Sequence, residues 1–309
     1  MRRSYLSSEF PAERVQRLKR GRTVSVCIPA RDEAATVGDI VSTLVASLMH
    51  GSAVIDELLV VDDGSSDDTA AFAAKAGASV VAADRVLPQF EGPGKGQAMW
   101  KGLHETSGDI VVFCDADVVG FDPAFVLGLV GPLLARDDAV FSKGFYDRPV
   151  EGGAEQGGTE QGGTEQGGRV TELMARPLIS VLFPHLADLA QPLSGECAGR
   201  REVLEALPFA GGYAVDLGLV IDVTERFGNT SLVQCDLGSR VHRNRPLSQL
   251  GPQALAILQL ALARSGGFER SDLGLSHTDI LMRPGSDPLP VELVELPALS
   301  GLPANRLSA

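Results

Sequence analysis

The sequence lacks the features that mark membrane, secreted and nucleic-acid-binding proteins. Its longest apolar runs, such as residues 254–263, are shorter than the roughly 20 residues that span a bilayer. Residues 1–23 are charged and have no apolar core of the kind that a signal peptide carries. With 27 Lys and Arg against 40 Asp and Glu, the net charge of −13 argues against bulk attraction to nucleic acid or anionic lipid. We therefore expect neither a nucleic acid nor a membrane as a partner.

Cysteine is scarce and follows no functional pattern. Four cysteines occur, and no pair has the CxxC or metal-ligand spacing of zinc and redox sites. Three of them lie inside apolar, strand-like runs, so we expect buried and reduced thiols. Because thiols stay reduced in the cytosol, this usage predicts a cytoplasmic protein.

The sequence does contain a regular alternation of strand and helix patterns, and 44% of its residues are hydrophobic. Short runs rich in β-branched residues predict strands at 24–28, 58–61, 79–83, 110–114 and 139–145. Helical patterns separate these strands, at 36–48, 67–76, 96–106 and 123–135. This alternation predicts an α/β fold with a largely parallel, doubly wound sheet and helices on both faces. Ligands of such sheets bind at the carboxyl ends of the strands.

Residues 151–168 interrupt this alternation. The pentapeptide Glu-Gln-Gly-Gly-Thr recurs there, and so much glycine predicts a flexible surface loop. The loop separates a first half, residues 23–150, from a second half, residues 169–264. The second half continues with helices predicted at 170–182, 215–227 and 249–263 and with a strand at 232–236. We expect residues 1–22 to be an N-terminal extension and residues 265–309 to be a tail that packs only loosely.

Acidic residues follow three of the predicted strands. Asp115 and Asp117 come directly after the strand at 110–114, where two carboxylates two residues apart can share one hard cation. Acids at this position also cap the following helix, so both interpretations stay open for this motif alone. Asp32, Glu33 and Asp63 follow two other strands. Because parallel strands end at one edge of a sheet, these loops together favour a site for a ligand rich in hydrogen-bond donors, such as uracil and ribose.

A glycine-rich turn and a basic segment supply positive charge. Residues 92–96, which include Lys95, precede a helix, and backbone amides at a helix N-terminus suit a diphosphate or a sugar hydroxyl. The spacing is not that of a Walker motif. His242 stands among Arg240, Arg243 and Arg245, so its imidazole is a candidate metal ligand, although a solvated basic loop accounts for the same residues equally well.

Taken together, these segments resemble the nucleotide-sugar glycosyltransferases of the GT-A type. More narrowly, they resemble the glucosyl-3-phosphoglycerate synthase family and its mannosyl-using relatives. The similar segments keep their order along the chain, at 28–36, 61–69, 93–96, 108–117, 168–173, 191–196, 212–218 and 242–247. The resemblance implies a GT-A type, Rossmann-like sheet, with a nucleotide-sugar-binding half at 23–150 and an acceptor-binding half at 169–264.

The resemblance also implies roles for individual residues. Asp216 and Lys95 are expected to be catalytic, and Asp117 and His242 are expected to hold Mg²⁺ or Mn²⁺. The nucleotide sugar is expected to contact both catalytic residues together with Pro29, Ala30, Arg31, Asp32, Glu33, Asp63, Asp115, Ala116, Tyr213, Ala214 and Val215. The acceptor, 3-phosphoglycerate, is expected to contact Arg169, Val170, Thr171 and Asn244.

The implied reaction is transfer of glucose from UDP-glucose to the 2-hydroxyl of 3-phosphoglycerate with retention, by a homodimer. The family often has Glu where this chain has Asp216, so the shorter side chain is expected to change how the sugar is positioned. A mannosyl-3-phosphoglycerate synthase that uses GDP-mannose stays open, because its donor differs in the configuration of one hydroxyl.

Three more distant functions fit the sequence less well. An inverting transferase that builds polysaccharide or loads a lipid carrier needs a third acid and often a QxxRW motif, whereas the one tryptophan here, Trp100, lies in a predicted helix. A sugar nucleotidyltransferase needs a glycine-rich signature after the first strand, where this chain has the sequence Pro-Ala-Arg-Asp at 29–32. A non-catalytic protein that binds a sugar nucleotide would leave the acceptor residues unexplained.

Overall fold

The computed structural model describes residues 2–147, 169–240, 247–266, 280–281 and 287–302. Its strands are β1 (Ser4–Leu6), β2 (Val24–Ala30), β3 (Glu57–Asp62), β4 (Ser79–Ala82), β5 (Ile110–Phe113), β6 (Phe141–Asp147), β7 (Cys197–Arg200), β8 (Phe209–Ala210), β9 (Leu232–Ser239), β10 (Ile280–Leu281), β11 (Leu289–Pro290) and β12 (Glu295–Leu296). Its helices are α1 (Ala12–Lys19), α2 (Val37–Leu44), α3 (Thr69–Ala76), α4 (Lys95–Glu105), α5 (Ala124–Ala135), α6 (Arg176–Leu182), α7 (Arg201–Glu205), α8 (Val215–Phe227) and α9 (Leu247–Arg264).

Eight of these strands form one sheet, in the order β1-β9-β6-β7-β5-β2-β3-β4. β7 runs antiparallel to both of its neighbours, and the other neighbouring pairs are parallel. The carboxyl ends of β2, β3 and β5 therefore lie at one edge and bring their following loops together. The α/β prediction is confirmed, and the five strands predicted in the first half match β2 to β6 within two residues at each end.

The sheet separates two hydrophobic cores. Along β5, Val111 and Phe113 point into one core, and Ile110 and Val112 point into the other. Helices α4 and α8 cover the first core, whereas α2 and α5 cover the second. Burial on both faces explains why the strands are almost continuously apolar rather than alternating.

Residues 1–22, which we expected as an extension, contribute to the sheet. β1 pairs in parallel with β9, with Tyr5 opposite Cys235. Phe10 is buried against α5, where a Cβ on Gly131 would lie 2.2 Å from the phenyl ring, so only glycine permits this close approach. The boundary at residue 22 stays a prediction.

The expectation that the C-terminal tail packs only loosely is wrong for residues 295–302. β12 pairs antiparallel with β8, and Leu296 and Leu299 are buried. The indole Nε1 of Trp100 donates a hydrogen bond to the carbonyl oxygen of Pro297 at 2.8 Å. The Pro and Gly residues of this stretch indicated a loop. Burial of the two leucines and the hydrogen bond from Trp100 nevertheless pack it against the first core.

The four cysteines are buried and unpaired, as expected. Burial raises the pKa of the thiols of Cys197 and Cys235 to about 12, so these thiols stay protonated at neutral pH. Across the described residues, no helix combines the length and the apolar character needed to cross a bilayer. The repeat loop at 151–168 and two predicted site residues, His242 and Asn244, lie outside the described residues.

Candidate active site

A pocket of about 350 Å³ opens at the carboxyl ends of the parallel strands, where the fold class predicts a ligand. Loops after β2, β3 and β5 form its first side, and residues from the second half of the chain complete it. Its lining includes twelve of the residues predicted from the sequence as donor, metal or acceptor contacts: Pro29, Ala30, Arg31, Glu33, Asp63, Asp115, Ala116, Asp117, Arg169, Val170, Thr171 and Tyr213. The two predicted catalytic residues, Lys95 and Asp216, line it as well.

Asp115 and Asp117 stand on the pocket side of β5, and basic groups hold both. Lys95 Nζ lies 3.0 Å from Asp115 Oδ1, and Arg240 Nη1 lies 3.1 Å from Asp115 Oδ2. Arg240 Nη2 lies 2.6 Å from Asp117 Oδ1. Burial disfavours the charged form of Asp115, but Lys95 and Arg240 outweigh it and hold the pKa of this carboxyl well below its usual value. Asp115 is therefore ionised throughout the physiological range.

Asp216 lies at the start of α8, between two lysines. Lys95 Nζ is 3.2 Å from Asp216 Oδ2, and Lys143 Nζ is 3.8 Å from Asp216 Oδ1. Burial raises the pKa of Asp216, and the charges of the two lysines oppose that shift. Lys143 also donates to the carbonyl oxygen of Ser194 at 2.7 Å, which ties the turn at 194–196 to the same cluster. Lys95 thus joins the acid after β5 to the acid that opens α8.

The loops after β2 and β3 form the outer part of the pocket. The backbone N–H of Gly94 donates to Asp63 Oδ2 at 2.8 Å, and Arg31 Nη1 lies 3.9 Å from the same oxygen. Burial is the main cause that raises the pKa of Asp63. Asp32 does not line the pocket: it is exposed, with φ of 55°, and its Oδ1 accepts a hydrogen bond from the backbone N–H of Ser66 at 2.7 Å.

The three predicted acceptor residues that the structure describes lie where the second half begins. Arg169 and Val170 open the helical stretch that leads into α6, and Thr171 is buried beside them. Leu250, Gln253 and Ile257 from one face of α9 complete this part of the lining. The other two predicted donor residues, Ala214 and Val215, are fully buried in the first core and do not line the pocket, although Tyr213 beside them does.

Sequence reasoning missed the groups behind the acidic pair. Arg240, Glu196, Lys143 and Tyr146 are all buried around Asp115 and Asp216. Glu196 belongs to the segment 191–196, which resembles the family, and Arg240 belongs to the basic segment around His242. Both residues therefore lie in segments that the sequence analysis had singled out. Their contact depends on β7 and β9 lying on either side of β6, and the sequence separation of 44 residues does not reveal it.

A sequence model of glycosyl transferase family 2 matches residues 25–206. The glucosyl-3-phosphoglycerate synthase of Mycolicibacterium smegmatis is 44% identical over 261 residues, which cover 84% of this chain and 82% of that protein. The synthase of Petrotoga mobilis is 39% identical over 90% of this chain and 85% of its own length. The chain belongs to the glucosyl-3-phosphoglycerate synthase family.

Solved structures of a member of this family agree with the fold described above. The synthase of Mycobacterium tuberculosis in complex with UDP superposes with a TM-score of 0.84 at 38% identity, covering 97% of this chain and 99% of that one. The same synthase in complex with Mn²⁺, UDP-glucose and phosphoglyceric acid gives a TM-score of 0.83 over 97% and 98% of the two chains. The predicted GT-A type sheet is thereby confirmed.

A lipid-carrier transferase is similar to a smaller part of the chain. An undecaprenyl-phosphate 4-deoxy-4-formamido-L-arabinose transferase from Sodalis glossinidius is 36% identical over 98 residues, which cover 31% of this chain. The similarity to the glucosyl-3-phosphoglycerate synthases extends over both halves of the pocket, so that family and not the lipid-carrier transferases accounts for the whole site.

Proposed function

We propose that this chain is a metal-dependent hexosyltransferase that transfers glucose from UDP-glucose to the 2-hydroxyl of 3-phosphoglycerate with retention. One observation carries the proposal: a single pocket contains Asp115 and Asp117 from the first half of the chain together with Arg169 and Thr171 from the second. The M. tuberculosis relative has been crystallised with Mn²⁺, UDP-glucose and phosphoglyceric acid together, which supports the same three ligands here.

The outer part of the pocket suits the nucleotide. Glu33 and Asp63 can accept hydrogen bonds from a uracil N–H and ribose hydroxyls, and Pro29 and Ala30 supply an apolar edge beside them. The fixed position of Asp63, which accepts from the Gly94 N–H, means that this acceptor needs little reorganisation when a ligand binds. Asp32 stays a predicted contact, although it lies outside the lining.

The residues at the strand ends fit a divalent cation. Asp115 and Asp117 offer the hard carboxylate oxygens that Mg²⁺ and Mn²⁺ prefer, on the wall of a pocket that water can reach. The described residues contain no cluster of three His, Cys, Asp or Glu ligands. Mg²⁺ sites at nucleotides commonly use one or two carboxylates together with substrate phosphates, so Asp117 is sufficient as the described ligand. When bound, the ion would neutralise charge that develops on the leaving diphosphate.

The inner part of the pocket suits the acceptor and the reacting sugar. The Arg169 guanidinium can bind a phosphate or a carboxylate, and the Thr171 hydroxyl can orient the acceptor so that its 2-hydroxyl approaches the anomeric carbon. Asp216, kept near two lysines, can stabilise positive charge on the sugar ring. The bond from the anomeric carbon to the diphosphate breaks as the bond to the acceptor oxygen forms on the same face, and the departing phosphate oxygen takes the hydroxyl proton.

A homodimer and a cytoplasmic location belong to the same proposal. The dimer is supported by the family resemblance, and the location is supported by four buried and unpaired cysteines. Light scattering on the purified protein tests the first point, because a monomer mass contradicts it.

The proposal is tested by nucleotide release from UDP-glucose, GDP-glucose and GDP-mannose with Mg²⁺, each with and without 3-phosphoglycerate. We expect release of UDP that depends on 3-phosphoglycerate, and NMR of the product should show the α-anomer of the donor retained. Release that 3-phosphoglycerate does not stimulate with any donor contradicts the assignment of the acceptor.

Asp117→Ala tests the metal ligand in the same assay. This variant should keep its circular dichroism spectrum and lose metal-dependent turnover. Asp137→Ala is the matched control, because this side chain is 98% exposed and lies outside the pocket lining. Unchanged turnover in Asp117→Ala contradicts the metal assignment.

A further inference from the structure

Arg240 directly follows β9 and lies behind the acidic pair, with its side chain fully buried. Its Nη1 is 3.1 Å from Asp115 Oδ2, and its Nη2 is 2.6 Å from Asp117 Oδ1. One planar guanidinium therefore spans both carboxylates of the segment 115–117. The roles proposed above give Arg240 no part, although it contacts the proposed metal ligand directly.

Further contacts with Tyr146 and Glu196 hold the guanidinium, and one backbone hydrogen bond holds the main chain of Arg240. Nη1 donates to the Tyr146 hydroxyl at 2.9 Å and to Glu196 Oε1. The guanidinium carbon lies 5.3 Å from the centre of the Tyr146 ring, and the backbone N–H of Arg240 donates to the carbonyl oxygen of Asp147 at 2.9 Å. A buried group with this many partners has one conformation, so it can impose that conformation on the carboxylates it contacts.

The contact with Asp117 restricts how that carboxylate can turn. With Oδ1 bound to Nη2, rotation about the bond from Cβ to Cγ is limited, and Oδ2 keeps one orientation at the pocket wall. A ligand held this way loses little conformational freedom when it binds a cation. Groups that orient metal ligands in other proteins commonly change metal affinity by about 10–100-fold when they are altered.

The buried carboxylate of Glu196 compensates the charge of Arg240. Glu196 is fully buried and lies against Nη1, and when its carboxyl is ionised the two side chains together carry no net charge. Without this partner, a guanidinium so close to Asp117 would repel a divalent cation. Glu196 thus allows Arg240 to orient Asp117 while most of that repulsion is cancelled.

We propose that Arg240, paired with Glu196, is a positioning residue that presents the Asp117 carboxylate to the divalent cation. This inference rests on the proposed function, because it takes Asp117 as the metal ligand. Its consequence is specific: the planar fork of Arg240, and not its charge alone, determines how tightly the cation binds.

Arg240→Lys separates geometry from charge. Lysine keeps the positive charge but is a point donor that cannot span two carboxylates. We expect the dissociation constant for Mn²⁺, measured by electron paramagnetic resonance in the presence of UDP, to rise about 10–100-fold. The Mn²⁺ concentration that half-saturates turnover should rise in parallel, while the KM for 3-phosphoglycerate stays unchanged. A purely structural role would lower the amount of folded protein and leave the Mn²⁺ affinity of the folded fraction intact.

Arg264→Lys is the matched control. Arg264 binds Asp222 through two nitrogens, at 2.6 and 3.1 Å, and Glu295 at 2.7 Å, and it does not line the pocket. The same substitution there breaks a comparable ion pair and should leave the Mn²⁺ affinity at the wild-type value. If Arg240→Lys fails to fold, Tyr146→Phe removes only the hydroxyl that anchors Nη1, and it should weaken Mn²⁺ binding in the same direction by a smaller factor.

The outcomes are distinguishable. Mn²⁺ binding by Arg240→Lys that is as tight as in the wild type, or tighter, overturns the proposal while leaving the proposed function in place. Unchanged affinity in Tyr146→Phe does the same where Arg240→Lys is unfolded. If the wild-type protein with UDP binds no Mn²⁺ at all, the metal site of the proposed function fails, and the role of Arg240 fails with it.

Discussion

Gly195 faces Asp115 so closely that any side chain at this position must displace the carboxylate. A Cβ on Gly195 would lie 2.1 Å from Oδ1 and 2.2 Å from Oδ2 of Asp115. Because packed heavy atoms lie roughly 3.5 Å apart, Gly195→Ala must move the Asp115 carboxylate, or the backbone of residue 195, by about 1 Å. The carboxylate cannot turn away freely, because Lys95 and Arg240 hold its two oxygens at 3.0 and 3.1 Å.

This displacement determines how much stability and how much activity Gly195→Ala should lose. Overpacking a well-filled site costs about 1–3 kcal/mol of the free energy of unfolding, so Gly195→Ala should fold with a lowered Tm. A displacement of about 1 Å at reacting groups costs on the order of 100-fold in rate. We therefore expect kcat/KM for UDP-glucose to fall about 100-fold, a larger effect than the loss of stability alone would produce at 25 °C.

The assay combines UDP release in the presence of Mg²⁺ and 3-phosphoglycerate with thermal melting followed by circular dichroism. Gly38→Ala, in α2, is the matched control: its added Cβ would meet no atom closer than 3.8 Å, and alanine favours a helix by about 1 kcal/mol over glycine. This control should keep full activity and melt at the same or a higher temperature. Wild-type kcat/KM in a folded Gly195→Ala variant would refute the idea that the position of Asp115 limits turnover.

Three further predictions concern the surroundings of the site. Lys143→Met removes a cation that opposes the raised pKa of Asp216, so this pKa should rise further. The acidic limb of the pH–kcat profile should then move to higher pH, and an unshifted limb contradicts a catalytic role for ionised Asp216. Trp100→Phe removes the hydrogen bond to Pro297 and leaves space in the core, so it should lower the free energy of unfolding by about 1–3 kcal/mol in urea, with faster hydrogen exchange in residues 295–302. Removing divalent cations with EDTA should weaken UDP binding roughly 10-fold or more in calorimetry, and equal affinity with and without Mn²⁺ would exclude a bridging ion.

The sheet could be predicted because local pattern and burial agree there. Residues 24–30 and 110–113 are buried on both faces, so their apolar runs predict the strands that form. β7 escaped prediction because Cys-Ala-Gly-Arg has no β-branched or aromatic residue. Pairing with β5 and β6 makes it a strand, and pairing is a property of the fold and not of those four residues.

The sequence predicts which residues lie near the site better than it predicts how their side chains are oriented. The acids after the strands could be found, because parallel strands bring the residues that follow them to one edge. The orientation of each side chain could not be found: Asp32 follows β2 like Glu33, yet a left-handed backbone turns it toward Ser66 and away from the pocket. Arg240 was visible only as one arginine among three, and its role depends on contacts made across the sheet.

The charges in the described part of the site explain why a divalent cation and a diphosphate would bind together. Ion pairs of 4 Å or less link four carboxylates and three cations into one network: Asp115, Asp117, Glu196 and Asp216, with Lys95, Lys143 and Arg240. With all of them ionised, this network carries one net negative charge, which repels a diphosphate and attracts a cation. A divalent ion reverses that sign, and the diphosphate then meets a positive site. The cation and the diphosphate should therefore each raise the affinity of the pocket for the other, and comparing UDP binding with and without EDTA measures this coupling.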